Sequence, residues 1–210
     1  MQPYFFPYLG YYRLLSLADI FVVYDCVQFP RRGWVHRNRF TMNTGVTDWV
    51  TLPTIKGGRD ETKISDLWFP QDSSEILLKQ FSKTRIFGEL QSNRNLFELV
   101  CETNGSVSDY LLRTLEYIKN ELGLDAQVFR SSTLEIPKYL KGQDRILYIV
   151  THLGGSTYVN LSGGKHLYNE YDFAENGIEL KILDPYVGPQ LSFLERILLE
   201  EKEDLLRELR

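Results

Sequence analysis

The chain has 210 residues, 43% of them hydrophobic and 25% charged, with a formal net charge of −4. That length suits one large domain, and no Ser/Gly/Pro-rich linker divides it. A sequence pI near 5.5 excludes the overall basicity of a general nucleic-acid binder, so any such contact would be local.

In chain order, Gln2 to Phe6 is expected as a short first strand. Tyr8 to Leu17 reads as a helix, with Leu9, Tyr12 or Arg13, and Leu17 at helical spacing. Asp19 to Asp25 is an apolar run closed by an acid at each end, the pattern of a central parallel strand covered on both faces. Arg37 to Met42 and Thr47 to Leu52 read as a strand pair across an Asn-Thr-Gly turn, and Ile64 to Phe69 as a further short strand. The stretch from about 35 to 70 is thus a β-rich excursion. A helical segment from about 73 to 123 follows, made of Ser74 to Thr84, Asn93 to Thr103 and Val107 to Leu122. The last of these carries one apolar stripe, a capping-box-like start at Ser106 and Asp109, and Gly123 as terminator. Strands return at Ala126 to Arg130, Thr157 to Asn160 and Ile178 to Leu183. A helix from Gln143 to Leu153, ended by Gly154 and Gly155, lies between the first two, and Phe193 to Leu209 reads as one or two helices. Strand, helix, strand with short loops implies parallel pairing through right-handed crossovers. The expected fold is a single α/β domain over 1–210, with a mostly parallel sheet and flanking helices in a Rossmann-like arrangement.

Cys26 and Cys101 stand apart without CxxC spacing, so neither a disulfide framework nor a zinc site is expected, and a reducing cytoplasm is the natural home. No run of about 18 apolar residues occurs. No basic start followed by an apolar h-region is present, so neither a membrane span nor a secretion signal is expected.

Three constellations carry candidate chemistry. Pro3, Pro7 and Gly10 fix a turn between a strand and a helix, where α/β sheets place ligands; the other reading is a Pro-kinked aromatic corner packed in the core. Tyr4, Tyr8 and Tyr11 bring hydroxyls that a dry core must satisfy. The second constellation is Arg31, Arg32, Gly33, Trp34, His36, Arg37, Asn38 and Arg39, following Asp25 at the end of the expected central strand. If Trp34 to Arg39 is extended, Trp34, His36 and Asn38 share one face while Val35, Arg37 and Arg39 share the other. Guanidinium groups grip phosphate in pairs of hydrogen bonds and an indole stacks on a planar ring, which suits a nucleotide-linked substrate. The competing reading is a solvated basic strand. Third, Ser162, Gly163, Gly164 and Lys165 follow a strand and lead to Tyr168, so their backbone N–H groups can cradle an anion, although a plain tight turn fits the same residues. The spacing is not that of a Walker A loop. Ser131 to Thr133 is expected as a turn or helix cap. Asp25 and His36 are the candidate catalytic groups, Asp25 as a general base. These residues specify neither a cofactor nor a metal.

The run QPYFFPYLGYYRLLSLADIFVVYDCVQF, then RRGW, RNR, KGQDRIL, GGSTYVNLSGGKHLY and NGIELKIL, resembles the WbqC-like proteins along almost the whole chain. The resemblance implies a place in bacterial O-antigen and surface-polysaccharide gene clusters. It implies modification of a nucleotide-linked amino sugar by attachment of an aminoacyl group such as glycine. Acyl transfer of that kind needs an activated donor, and an aminoacyl-tRNA, a thioester and ATP with a free amino acid all stay open. It also implies site roles for Gln2, Pro3, Pro7, Gly10, Tyr11, Asp25, Gln28, Arg32, Gly33, Trp34, Arg37, Asn38, Arg39, Gly163, Gly164 and Tyr168. Two departures stand out: Asp25-Cys26 replaces the family's frequent acid pair, and many members carry a few more apolar residues before Gln2, so the first strand is expected to be truncated or very short. Strand, then Pro-x-x-Gly-Tyr opening a helix, then a buried strand is also similar to the HUP nucleotidyltransferase fold, with Pro7 and Tyr11 where that fold has histidines. Non-catalytic nucleotide-sugar binding and adenylyl transfer are the alternative functions.

Overall fold

The computed structural model describes residues 1–30, 32–55 and 62–209; Arg31 of the second constellation lies outside them. Helix α1 (Leu9–Leu17) buries Leu9, Gly10, Tyr11, Tyr12, Leu14 and Leu15. A helix apolar on nearly every side belongs inside the molecule. It leads into strand β1 (Ile20–Val23), which pairs in parallel with β4 (Gln127–Arg130), Ile20 opposite Gln127 and Val23 opposite Arg130. Strands β2 (Arg37–Thr41) and β3 (Thr47–Thr51) form the expected antiparallel hairpin, with Arg39 opposite Trp49. Strand β5 (Thr157–Leu161) pairs in parallel with β6 (Glu179–Leu183).

Among the described residues these strands form three two-stranded sheets, where the sequence predicted one mostly parallel sheet. The parallel pairings are as expected, while β1–β4 and β5–β6 are not joined into a continuous sheet. Gln2 to Phe6 is irregular rather than a strand. Met1 alone lies alongside β1: its amine donates to Val22 O at 2.8 Å and its carbonyl accepts from Tyr24 N at 2.8 Å. The expected strand from Ile64 to Phe69 is instead a 3-10 turn at Ile64–Asp66, where the Asp66 carboxylate accepts from Lys63 N at 3.3 Å and competes with strand pairing.

The helical segment comprises α2 (Ser73–Phe81), α3 (Phe87–Ser92), α4 (Arg94–Cys101) and α5 (Val107–Glu121). Ser106 caps α5, accepting from Asp109 N at 3.0 Å, and Gly123 adopts φ 65° just past its end, where a Cβ would be strained. Helices α6 (Gly142–His152), α7 (Glu170–Glu175), α8 (Phe193–Leu199) and α9 (Lys202–Leu209) complete the chain. One hydrophobic cluster runs from Phe5 to Leu209, so the C-terminal helix shares a core with the N-terminal aromatics.

The start of α8 locks onto the opening segment. Phe193 N donates to Pro7 O at 3.1 Å, Ser192 Oγ donates to Phe6 O at 3.0 Å, and buried Glu195 accepts from Thr41 N on the hairpin at 2.8 Å. Arg85 closes the same contact with an ion pair to Glu195 at 2.5 Å.

Candidate functional site

The opening turn is an aromatic corner held by hydrogen bonds from distant parts of the chain. Phe5 and Phe6 are fully buried, and Phe6 adopts φ 43°, a left-handed conformation that an aromatic residue rarely takes. Such a residue costs about 1–3 kcal/mol and persists only where its surroundings over-determine it. Here Asn38 supplies the restraint, its side-chain amide donating to Phe5 O at 3.1 Å and Phe6 O at 2.6 Å. The Asn38 carbonyl accepts from Arg39 N at 2.7 Å, so this buried amide is committed to shaping the protein rather than exposed for a substrate.

Gly10 also has a packing role, because a Cβ there would lie 2.4 Å from the Tyr8 ring and 2.7 Å from Tyr186. The Tyr11 hydroxyl donates to Gln2 O at 2.9 Å inside the core, while the Gln2 side chain is exposed. Burial pushes the Tyr11 hydroxyl well above its ordinary range. Pro7 is buried with its carbonyl tied to α8.

Beside this corner the hairpin presents an aromatic and cationic face. Along β2, Asn38 and Phe40 point into the core while Arg37 and Arg39 point outward. Trp34 joins the arginines, contrary to the strand parity expected from sequence, because residues 33–36 are bent and alternation begins only at Arg37. The Tyr4 ring stacks on Trp34, with centroids 5.5 Å apart and planes at 9°, and Trp49 lies 5.0 Å from Trp34. Arg37 sits 4.2 Å over the Trp49 ring, and Arg39 5.3 Å over Trp34. Arg37 Nε donates to Gly33 O at 3.2 Å. Arg39 Nε is buried and has no hydrogen-bond partner among the described residues. Each such cation–π contact contributes about 0.5–2 kcal/mol and holds the guanidinium plane in place. Tyr4 and Arg39 occupy Trp34, so Trp49, 36% exposed, is the ring of this pair more open to a ligand. Trp49 was not singled out from the sequence, although counting the hairpin register back from the Asn-Thr-Gly turn sets it opposite Arg39. Gln28 and Arg32 are exposed, and buried His36 lies edge-on to Phe29 with centroids 4.9 Å apart.

Asp25 is fully buried at the end of β1 and enclosed in hydrogen bonds. Its carboxylate accepts from Arg130 Nε at 2.8 Å, Ser131 Oγ at 3.1 Å, Ser132 N at 2.9 Å and Ser132 Oγ at 2.8 Å. Arg130 also pairs with Asp109 at the start of α5. This arrangement ties β1 to the loop after β4, and it leaves the carboxylate poorly placed to take a proton from a substrate. Ser131 and Ser132, expected only as a turn, are its principal partners.

The glycine turn belongs to a second cluster, near the end of β5. Ser162–Leu167 forms a 3-10 turn in which Gly163 and Lys165 are exposed. A Cβ on Gly164 would lie 2.9 Å from Asn160 Nδ2, so packing alone accounts for glycine there. Asn160 Nδ2 donates to the hydroxyls of Tyr158 and Tyr168, each at 3.2 Å. Burial raises the Tyr24 hydroxyl above its usual value, nearby Arg145 opposes that rise, and Cys26 and Tyr168 add to it. Arg145 Nη1 approaches Cys26 Sγ at 3.8 Å. Arg145 lies in the KGQDRIL stretch and was missed as an individual site residue. Among the described residues no cluster of three or more His, Cys, Asp or Glu is arranged to hold a metal ion.

The profile of the WbqC-like protein family matches residues 2–194. The chain belongs to that family. This WbqC-like protein is also 35% identical over 66 residues to a Mycobacterium tuberculosis protein named "Uncharacterized protein Rv1507c". That match covers 31% of the chain and 28% of the relative. No solved structure matches the chain. Among the described residues no helix is long and apolar enough to cross a membrane.

Proposed function

We propose that this WbqC-like protein binds a nucleotide-linked amino sugar on the face formed by Tyr4, Trp34, Trp49, Arg37 and Arg39. Its reaction is transfer of an aminoacyl group, such as glycine, to the sugar amine during bacterial surface-polysaccharide synthesis in the cytoplasm. One observation supports the reading: two guanidinium groups lie over two indoles, at 4.2 Å and 5.3 Å, beside the hairpin. That pairing offers phosphate-directed N–H groups beside a ring for stacking. In the transfer the amine nitrogen forms a bond to the acyl carbonyl carbon, the bond to the donor's leaving group breaks, and the amine proton is given up. Asp25, the base expected from the sequence, is taken up by Arg130, Ser131 and Ser132, which leaves His36 as the candidate base in this scheme.

The test is thermal-shift screening against nucleotide sugars and adenine nucleotides. A nucleotide sugar is expected to raise Tm, Arg37→Ala to abolish the rise and Trp49→Ala to reduce it at least tenfold in apparent affinity. A rise that survives both changes places the site elsewhere. The enclosure of Asp25 favours a second reading, a non-catalytic module that binds the same ligand. Binding without acylated sugar detectable by mass spectrometry, from thioester, aminoacyl-tRNA or ATP-activated donors, selects that reading.

A further inference from the structure

Hydrogen-bond donors from three segments meet near the carboxyl ends of β1 and β5, and none of them belongs to the hairpin. Tyr24 and Cys26 follow β1, Arg145 stands on α6, and Tyr158 and Asn160 on β5 meet Tyr168 after the turn that follows. Arg145 is half-buried, and among the described residues it forms no ion pair with a carboxylate. Its Nε donates to Leu140 O at 2.8 Å and its Nη1 approaches Cys26 Sγ, a weak acceptor, at 3.8 Å, so further N–H groups are unspent. Burial raises the Tyr24 hydroxyl and Arg145, its hydrogen-bond neighbour, opposes the rise. Arginine only donates, so the Tyr24 proton has no acceptor among the described residues. The tyrosine pair adds another such proton. Asn160 Nδ2 donates to both hydroxyls at 3.2 Å, and the hydroxyls lie 3.0 Å apart, so one phenol donates to the other. The proton of the phenol that accepts is left over. Asn160 cannot take it, because its carbonyl oxygen already accepts from Leu161 N at 2.8 Å. A cation without a carboxylate, beside hydroxyls with protons to give, is the donor set of an oxyanion site.

We propose that Arg145, Tyr24 and the Tyr158 and Tyr168 pair form a second binding site, which holds a phosphate group of the acyl donor. The donors arrive from three segments, and a tetrahedral phosphate presents oxygens in several directions where a carboxylate presents them in one plane. The ends of parallel strands are also where α/β proteins bind such groups. An aminoacyl-tRNA, a coenzyme A thioester and an aminoacyl adenylate all carry phosphate, so the site suits each of the activated donors. Assignment to the donor rests on the acyl-transfer reading above, whereas the anion site does not.

The experiment measures how fast iodoacetamide, an uncharged reagent, alkylates each cysteine of the full chain, with Cys101 on α4 as the internal control. A phosphate held by Arg145 screens the Cys26 thiol. Inorganic pyrophosphate is expected to slow Cys26 about fivefold and to leave Cys101 unchanged. Arg145→Gln should remove the slowing, and Tyr24→Phe, which takes away one hydroxyl and keeps the ring, should weaken it. Arg37→Ala, which disables the hairpin face, should leave it intact. Coenzyme A, ATP and a short RNA ending in CCA separate the donors, and one of them is expected to match pyrophosphate at about a tenth of its concentration. No slowing, equal slowing by acetate, or slowing that survives Arg145→Gln overturns the site. If Arg145→Gln unfolds, seen as faster Cys101, Tyr24→Phe decides, and undiminished slowing in it overturns the site. Slowing lost in Arg37→Ala puts the phosphate on the hairpin and overturns a second site. Coenzyme A, ATP and RNA no more potent than pyrophosphate leave an adventitious ion only and overturn the donor assignment.

Discussion

Asp25 accepts four hydrogen bonds from three consecutive residues, Arg130, Ser131 and Ser132, and is wholly shielded from solvent. Breaking a buried, hydrogen-bonded ion pair at one end costs about 3–5 kcal/mol. Asp25→Asn keeps the shape and removes the charge, and Arg130 retains Asp109, so a loss of about 3 kcal/mol in urea unfolding is expected. A loss under about 1 kcal/mol would show that the carboxylate does not hold these strands together. At this scale the sequence was only partly informative. It marked Asp25, the Arg/Trp cluster and the Pro/Gly corner as unusual, and the structure does group Trp34, Arg37 and Arg39. It could not tell groups turned outward from groups spent within the fold, as Asn38 and Gly10 are, because that depends on which distant carbonyl or ring arrives beside them. The parity argument failed at Trp34 for a local reason, since alternation of side chains requires extended backbone and residues 33–36 are bent.

The elements were legible where their signals were local. Helix α5 has fifteen residues, a capping serine and a terminal glycine, and the β2–β3 hairpin has a turn sequence between two β-rich runs. Helices α3 and α7, six residues each, present under two turns of pattern and went unseen. Joining strands into sheets is a long-range matter that no window of sequence contains. Asn38 hydrogen-bonds the corner to the hairpin beside the Phe5–Phe40 ring contact, which leads to a prediction at this scale. Asn38→Ala leaves the carbonyls of Phe5 and Phe6 without that donor and releases the restraint on Phe6, and about 2 kcal/mol of stability should be lost. The Tyr4–Trp34 stack should loosen with it, seen as a red shift and faster quenching of tryptophan emission. Unchanged emission in a destabilised variant would separate the corner from the aromatic face.

For the whole molecule, the Met1 amine makes stability depend on pH. Burial lowers it from its ordinary value of 8.0 to about 5, so between those values the unfolded chain holds more protons than the folded one. Stability therefore rises as pH climbs through this window and is lost as pH falls from 8 toward 5. Chemical denaturation across the window should show the decline in the chain that begins at Met1, and N-terminal acetylation should flatten it. Identical pH profiles for the acetylated and free chains would refute the assignment.

The bond from Ser192 to Phe6 spans 186 residues, and it closes on a backbone conformation that phenylalanine does not adopt unaided. Contacts of such long separation form late, after most of the loop entropy between them has been lost. Synthesis delivers the strained corner 186 residues ahead of its clasp. Ribosome-bound chains halted before Ser192 are accordingly expected to leave Tyr4 to Pro7 open to protease, and released chains to protect it; equal protection in both would show that Asn38 alone suffices. A nascent chain short of Ser192 lacks one of the two side-chain donors to Phe6 O, and its loosened Phe5 and Phe6 are then a target for chaperones that bind aromatic-rich segments at the ribosome exit.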